Sequence, residues 1–108
     1  MDDMTIAQMQ EMQRALNERY RGKWEPLIPK TGQEQLLWMI GEVGEVIDII
    51  KKQKDGAIMN DSTTRAAFIE EMADVLMYFN DVLLCYGVSP EDIARVYRAK
   101  YERNLNRW

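Results

Sequence analysis

The chain has 108 residues, 46% of them hydrophobic and 30% charged, with a net charge of −4. That balance belongs to a soluble globular protein organised as one domain over residues 1–108, and its acidity argues against nucleic acid as a partner, because phosphate backbones reward a basic face. The absence of histidine removes Ser-His-Asp and Cys-His catalysis and His-ligated zinc, and the single cysteine, Cys85, can form neither an intrachain disulfide nor a Cys-rich zinc site. Any general base must then be a carboxylate, a lysine or an activated water. Met1-Asp2-Asp3-Met4 lacks the basic and apolar runs of a leader peptide. The most apolar stretch, from Met72 to Val88, is broken by Asp74, Asn80 and Asp81, so a cytoplasmic protein with no membrane partner is expected.

The first helix is expected to start at Thr5, where Thr5-Ile6-Ala7-Gln8 reads as a capping box, and to run to about Arg21. Ile6, Met9, Leu16 and Tyr20 share its apolar face, with Gln10, Arg14 and Glu18 opposite. A loop follows from Gly22 to Lys30, carrying two prolines and a tryptophan, Trp24, that either plugs the end of the core or meets a ligand. Thr31-Gly32-Gln33-Glu34 reads as the capping box of a second helix, ending near Lys54-Asp55-Gly56 with Gly56 as a left-handed cap. Within it Leu36, Ile40, Val43, Ile47 and Ile50 form a stripe spaced four, three, four, three, and are expected to be core. Gly41 and Gly44 each cost about 1 kcal/mol against alanine, which close approach of a neighbouring helix or room for a bulky ligand would offset.

After a loop over Ala57 to Thr64, with Asp61 or Ser62 as the cap, the third helix is expected to continue to Tyr86 and stop at Gly87. Phe68, Met72, Val75, Phe79, Val82 and Tyr86 make one apolar stripe and Ile69, Ala73, Leu76 and Leu83 another. A short chain with a helix apolar on several sides calls for a second subunit. Cys85 on this helix reads as a small buried hydrophobe. Ser89-Pro90-Glu91-Asp92 opens the last helix with a cap, a first-position proline and acids in the first turn. The expected architecture is therefore all-α, a four-helix-bundle-like subunit that assembles into a larger helical oligomer.

The chemistry sits beside the two central apolar seams. Next to the stripe of the second helix runs Trp38, Glu42, Glu45, Ile49, and next to that of the third runs Ala67, Glu71, Asp74, Tyr78, Asp81. Packing the two helices along these seams would gather Glu42, Glu45, Glu71 and Asp74 into one small volume. Like charges about 4 Å apart repel by roughly 4 kcal/mol at an effective dielectric near 20, so four bare carboxylates call for a divalent cation. With only oxygen ligands to offer, that cation would be Mg2+ first and Mn2+ second. On the last helix, the stripe Ile93, Tyr97, Lys100, Asn104, Arg107 turns from apolar to donor-rich, which fits either phosphate contacts or a dipole-compensating final turn.

Gly41-Glu42-Val43-Gly44-Glu45, Glu70-Glu71-Met72-Ala73-Asp74-Val75-Leu76-Met77-Tyr78 and Lys100-x-x-x-Asn104-x-x-Arg107 resemble the MazG-like all-α nucleoside triphosphate pyrophosphohydrolases, whose superfamily includes the dimeric dUTP and dCTP pyrophosphatases. The resemblance runs from about Trp24 to the end. It implies that Glu42, Glu45, Glu71 and Asp74 hold magnesium, with Glu42 and Glu45 in the catalytic role, and that Lys100, Asn104 and Arg107 contact phosphates. Trp24, Trp38 and Tyr78 become candidates for the base pocket, and Asp81 for a sugar hydroxyl. The implied reaction is magnesium-dependent hydrolysis of a (deoxy)nucleoside triphosphate between the α- and β-phosphates, serving nucleotide-pool cleaning, in a homodimer or homotetramer whose site borrows residues from a second subunit. The competing reading is a non-catalytic helical oligomer that binds a nucleotide or a partner and uses the acids only for metal or salt bridges.

Overall fold

A computed structural model describes residues 2–107; Met1, the first residue of the segment read as lacking a leader, lies outside them. The architecture is all-α: α1 (Ile6–Arg19), α2 (Gly32–Asn60), α3 (Ser62–Cys85) and α4 (Pro90–Leu105), with a 3-10 turn over Pro29–Thr31. Among the described residues no strand forms, only an isolated bridge between Arg21 and Trp24.

Local chemistry starts most of these helices. The Thr5 hydroxyl accepts from the Gln8 N–H at 3.0 Å while the Gln8 side chain accepts from the Thr5 N–H at 2.8 Å, completing the capping box. Asp61 accepts from the Thr64 N–H at 2.9 Å, and Ser89 from the Asp92 N–H at 3.1 Å. Gly87 ends the α3 chain path with φ +66, a left-handed angle that favours glycine. Thr31 departs from the expected box. Its hydroxyl turns back into the preceding loop to donate to the Pro26 carbonyl, and makes no cap bond.

The long run of α2 breaks where the sequence expectation ended it, at Lys54, whose backbone is non-helical; among the described residues it is the one non-glycine residue with positive φ (+69), so the left-handed position is Lys54 and not Gly56. A short helical segment continues from there to Asn60, so the expected loop over Ala57 to Thr64 is helical on both sides of Asp61. The break and this short segment return α3 antiparallel along α2, and the two pack together. α1 lies against α3, and α4 lies against α1.

The core within the chain is small. Val46, Ile58 and Cys85 are the buried hydrophobic residues, Cys85 as expected. The stripe expected to be core is instead exposed: Ile40 at 56%, Ile47 at 48%, and Leu36, Val43 and Ile50 with them. α3 likewise leaves Ile69, Met72, Leu76 and Phe79 uncovered. The register of α2 decides this, since the chain's own α3 covers Val46 (7% exposed) and leaves its neighbour Ile47 open. Gln10, expected on a solvent face of α1, is fully buried and donates to the Val88 carbonyl at 3.4 Å.

Size measures agree with an open subunit. Its radius of gyration is 16.2 Å, against about 13 Å for a compact chain of this length. The accessible surface is 8553 Å², where a compact monomer would show about 6,200 Å².

Candidate active site

The antiparallel α2–α3 pair carries the acids. Glu42, Glu71 and Asp74 are each half-buried, and each offers a carboxylate oxygen within 4.8 Å of those of the other two. Glu45, expected in the same group, is exposed and stands outside it, although its charge is felt at Glu71. Burial, a hydrogen bond with Glu42 and the charges of Glu42, Asp74 and Glu45 together hold the Glu71 carboxyl above its ordinary range. The ion pairs among the described residues, Arg14–Glu11, Arg21–Glu18 and Arg95–Asp92, are exposed neighbours within one helix or turn, and none reaches this group. Three convergent, uncompensated carboxylates form a hard oxygen donor set that fits a divalent cation.

Beside the acids opens a cavity of about 460 Å³, and Asp74 belongs to both. Trp24, Trp38, Tyr78 and Asp81, singled out in three separate segments of the sequence, all line it. Trp24 is held there by stacking on Tyr20, with ring centroids 4.6 Å apart. Tyr78 stands between the two halves of the site. Burial and the charges of Glu42, Asp81 and Asp74 raise its phenol above the usual value, so it feels the acid cluster on one side and Asp81 on the other.

Asp81 is half-buried, and the Gln13 amide of α1 donates to its Oδ1 at 2.9 Å. Burial raises the Asp81 carboxyl, with the Gln13 bond acting against it. Gln13, Asn17 and Gln35 also line the cavity, and the sequence reading missed all three. Gln35 lies one turn before Trp38 on α2, a spacing that could have exposed it. Gln13 carries no such signal, because nothing in the pattern of α1 separates it from a solvated glutamine.

Gly41 and Gly44, expected to admit a helix or a ligand, face open space within the chain. The donor stripe of α4 does not join the site. α4 packs closely against α1 only, and an apolar groove of about 430 Å³, lined by Leu76, Phe79, Ile93 and Tyr97, separates it from α3. Lys100, Asn104 and Arg107 therefore stay exposed on the far half of α4, away from Glu42, Glu71 and Asp74 of the same chain.

The sequence pattern of the MazG nucleotide pyrophosphohydrolase domain matches residues 30–106, which takes in all four acids and, of the α4 donors, Lys100 and Asn104. The chain belongs to the MazG family. No curated protein and no solved structure matches it. MazG membership supports nucleotide pyrophosphohydrolase activity, with a nucleotide as substrate and a divalent metal as the general requirement. Among the described residues of this MazG domain, no helix is long and apolar enough to cross a membrane. Residues before position 30, which include Gln13 and Trp24, lie outside the matched region.

Proposed function

We propose that this chain is a magnesium-dependent pyrophosphohydrolase that cleaves (deoxy)nucleoside triphosphates between the α- and β-phosphates. The observation that carries the reading is the convergence of Glu42, Glu71 and Asp74 at the mouth of a cavity walled by two tryptophans. Glu42, Glu71 and Asp74 hold the cation, and Glu45 adds its charge from one turn along α2. Bound there, Mg2+, or Mn2+ in its place, neutralises the triphosphate and makes water more acidic.

The residues divide the remaining work. Trp24 and Trp38 stack on the base, and Tyr78 fixes its edge. Glu42 orients a water in line with the α-phosphorus and takes its proton. The water oxygen bonds to that phosphorus, the bond to the α–β bridging oxygen breaks, and pyrophosphate leaves with the electron pair. Lys100, Asn104 and Arg107 stabilise the charge that develops on it.

These three donors come from a second copy of the chain. The surface in excess of a compact monomer, roughly 2,300 Å² per subunit, is of the size an obligate homodimer buries. The exposed α2 and α3 stripes supply the apolar character such an interface needs. A homodimer or a homotetramer would cover them and bring α4 to a neighbour's acids. The biological role that fits is removal of unwanted nucleotides in the cytoplasm.

The test is pyrophosphate release from a panel of triphosphates, with and without magnesium, beside Glu42→Gln. Magnesium-dependent release should fall at least about a thousandfold in the variant, a barrier increase of about 4 kcal/mol. Unchanged release would take Glu42 out of the chemistry, and none from any substrate would leave a binding module.

A further inference from the structure

The cavity is built from two parts of the chain with different standing. Asp74, Met77, Tyr78 and Asp81 of α3 and Trp38 of α2 lie inside the MazG match. Gln13, Leu16 and Asn17 of α1, with Trp24 and Leu27, lie before it. The acids that define the reaction are all on the matched side. The polar contact that decides what the cavity presents to a ligand crosses between the two.

That contact is the 2.9 Å bond from Gln13 Nε2 to Asp81 Oδ1. An ionised carboxylate can only accept, so its presence fixes which way the Gln13 amide points. Gln13 is 6% exposed and cannot swing into solvent without losing the bond. Among the described residues no other donor pairs with Asp81, which leaves its second oxygen as an acceptor at the cavity wall. The Gln13 carbonyl oxygen lies at the other end of the same amide and is also an acceptor. This edge of the cavity therefore asks for hydrogen-bond donors.

We propose that the Gln13–Asp81 pair makes the cavity select bases that carry an exocyclic amino group over bases that carry an oxo group at the same position. The proposal rests on the reading of the cavity as the base pocket of a pyrophosphohydrolase. An amino group donates to the free Asp81 oxygen. An oxo group at that position would set lone pairs against lone pairs in a half-buried site. Sites built around such a bond discriminate strongly against the analogue that lacks the donor. Gln13 is a positioning residue in this scheme, and Asp81 reads the base.

Two matched pairs test it, each exchanging amino for oxo with the neighbouring ring nitrogen gaining a hydrogen: dCTP against dUTP, and dATP against dITP. Binding is read by tryptophan fluorescence with the uncleavable α,β-imido analogues in magnesium, and catalysis by pyrophosphate release from the natural triphosphates. At least one pair should show a preference of about tenfold or more for the amino member; the pair that does so reports which ring size the cavity takes. Asp81→Asn, whose amide can also donate, should bring the ratio to near one. Gln13→Met, which keeps the volume of α1 but frees Asp81, should weaken binding of the amino member and leave the oxo member unchanged. Circular dichroism and melting temperature check that both variants fold.

Equal binding of amino and oxo members by the unaltered chain would overturn the proposal. So would a parallel loss for both members in Asp81→Asn, or a change in the ribose-to-deoxyribose ratio alone, which would give Asp81 to the sugar. The binding assay keeps this separate from the proposed reaction. Discrimination without pyrophosphate release refutes the enzyme and keeps the selectivity, and release without discrimination does the reverse.

Discussion

The α2–α3 pair and α4 carry the two halves of the proposed chemistry, and the fold treats them differently. α2 and α3 pack against each other across the break at Lys54 and the turn at Asp61, so Glu42, Glu71 and Asp74 converge within a single chain. α4 is tethered at its start, by the Ser89 cap and its packing on α1, and its donor-bearing half has no helix of its own chain beneath it. Tyr97 is 75% exposed there, a large aromatic on the open groove between α4 and α3. On the proposed reading, one chain holds the cation and another completes the phosphate site. A helical hairpin brings its own acids together, while an apolar helix face left uncovered favours assembly.

The sharpest way to break that comparison is complementation. Lys100→Ala with Asn104→Ala should lower pyrophosphate release by about a hundredfold or more, the usual cost of removing charge-stabilising donors. Glu71→Gln should be at least as damaging. Mixed after dissociation and reassembly, the two inactive proteins should recover about a quarter of the unaltered rate, because half of randomly formed dimers contain one site with intact acids from one chain and intact donors from the other. Failure to recover any activity would place the α4 donors and the acids in the same chain, and the standing-off of α4 would then be a resting position.

What could be read ahead of the structure follows the range of the physics. Thr5, Asp61 and Ser89 act on N–H groups three residues away, so their caps are visible in the sequence. The acids were legible for a related reason: helical period alone sets Glu42, Glu71 and Asp74 beside seams that must meet. Glu45 shows the limit, since a one-turn spacing shares a face without guaranteeing that both carboxylates reach the same point. Who covers an apolar stripe is a different question. Val46 and Ile47 are equally apolar, and only the register of α3 against α2 buries one and leaves the other exposed. Gln10 and Gln13 were the least legible, because a glutamine is polar wherever it lies and their partners, Val88 and Asp81, are 78 and 68 residues away. Lys54 takes the positive φ expected of Gly56, and the contacts around it give no physical account of that.

A smaller effect separates the acids as a metal site from the acids as a structural cost. The Glu71 carboxyl is raised above its ordinary value of 4.5 by burial, by Glu42 and by the surrounding charges, so the folded chain holds this proton more tightly than the unfolded chain does. Its contribution to stability is complete below 4.5 and is lost as pH rises through the raised value. Metal-free protein should therefore melt higher near pH 5 than at pH 7, and Glu71→Gln should lessen that pH dependence while melting above the unaltered chain at pH 7. Magnesium at pH 7 should raise the melting temperature of the unaltered chain and leave Glu71→Gln where it is. Melting curves at two pH values, with magnesium or with a chelator, read all three. A magnesium shift that survives in Glu71→Gln would remove this residue from the cation site.

The smallest effect tests the α2 surface itself. Gly41 faces open space in the protomer, so Gly41→Ala should stabilise an isolated subunit by about 1 kcal/mol through helix propensity alone. It lies one turn from Leu37 on a helix whose other exposed residues include Ile40 and Val43. If a second copy closes over that face, the added methyl meets it and the assembled form is weakened. Assembly makes the melting temperature depend on protein concentration, because only the folded state binds its partner. Plotted against concentration, the two proteins should therefore cross: the variant melts higher where subunits are dispersed and lower where they are joined. Parallel lines, with Gly41→Ala above throughout, would mean that the glycines face solvent in the oligomer too, and that the interface is confined to the Leu36–Ile40–Val43–Ile47 stripe and the uncovered side of α3.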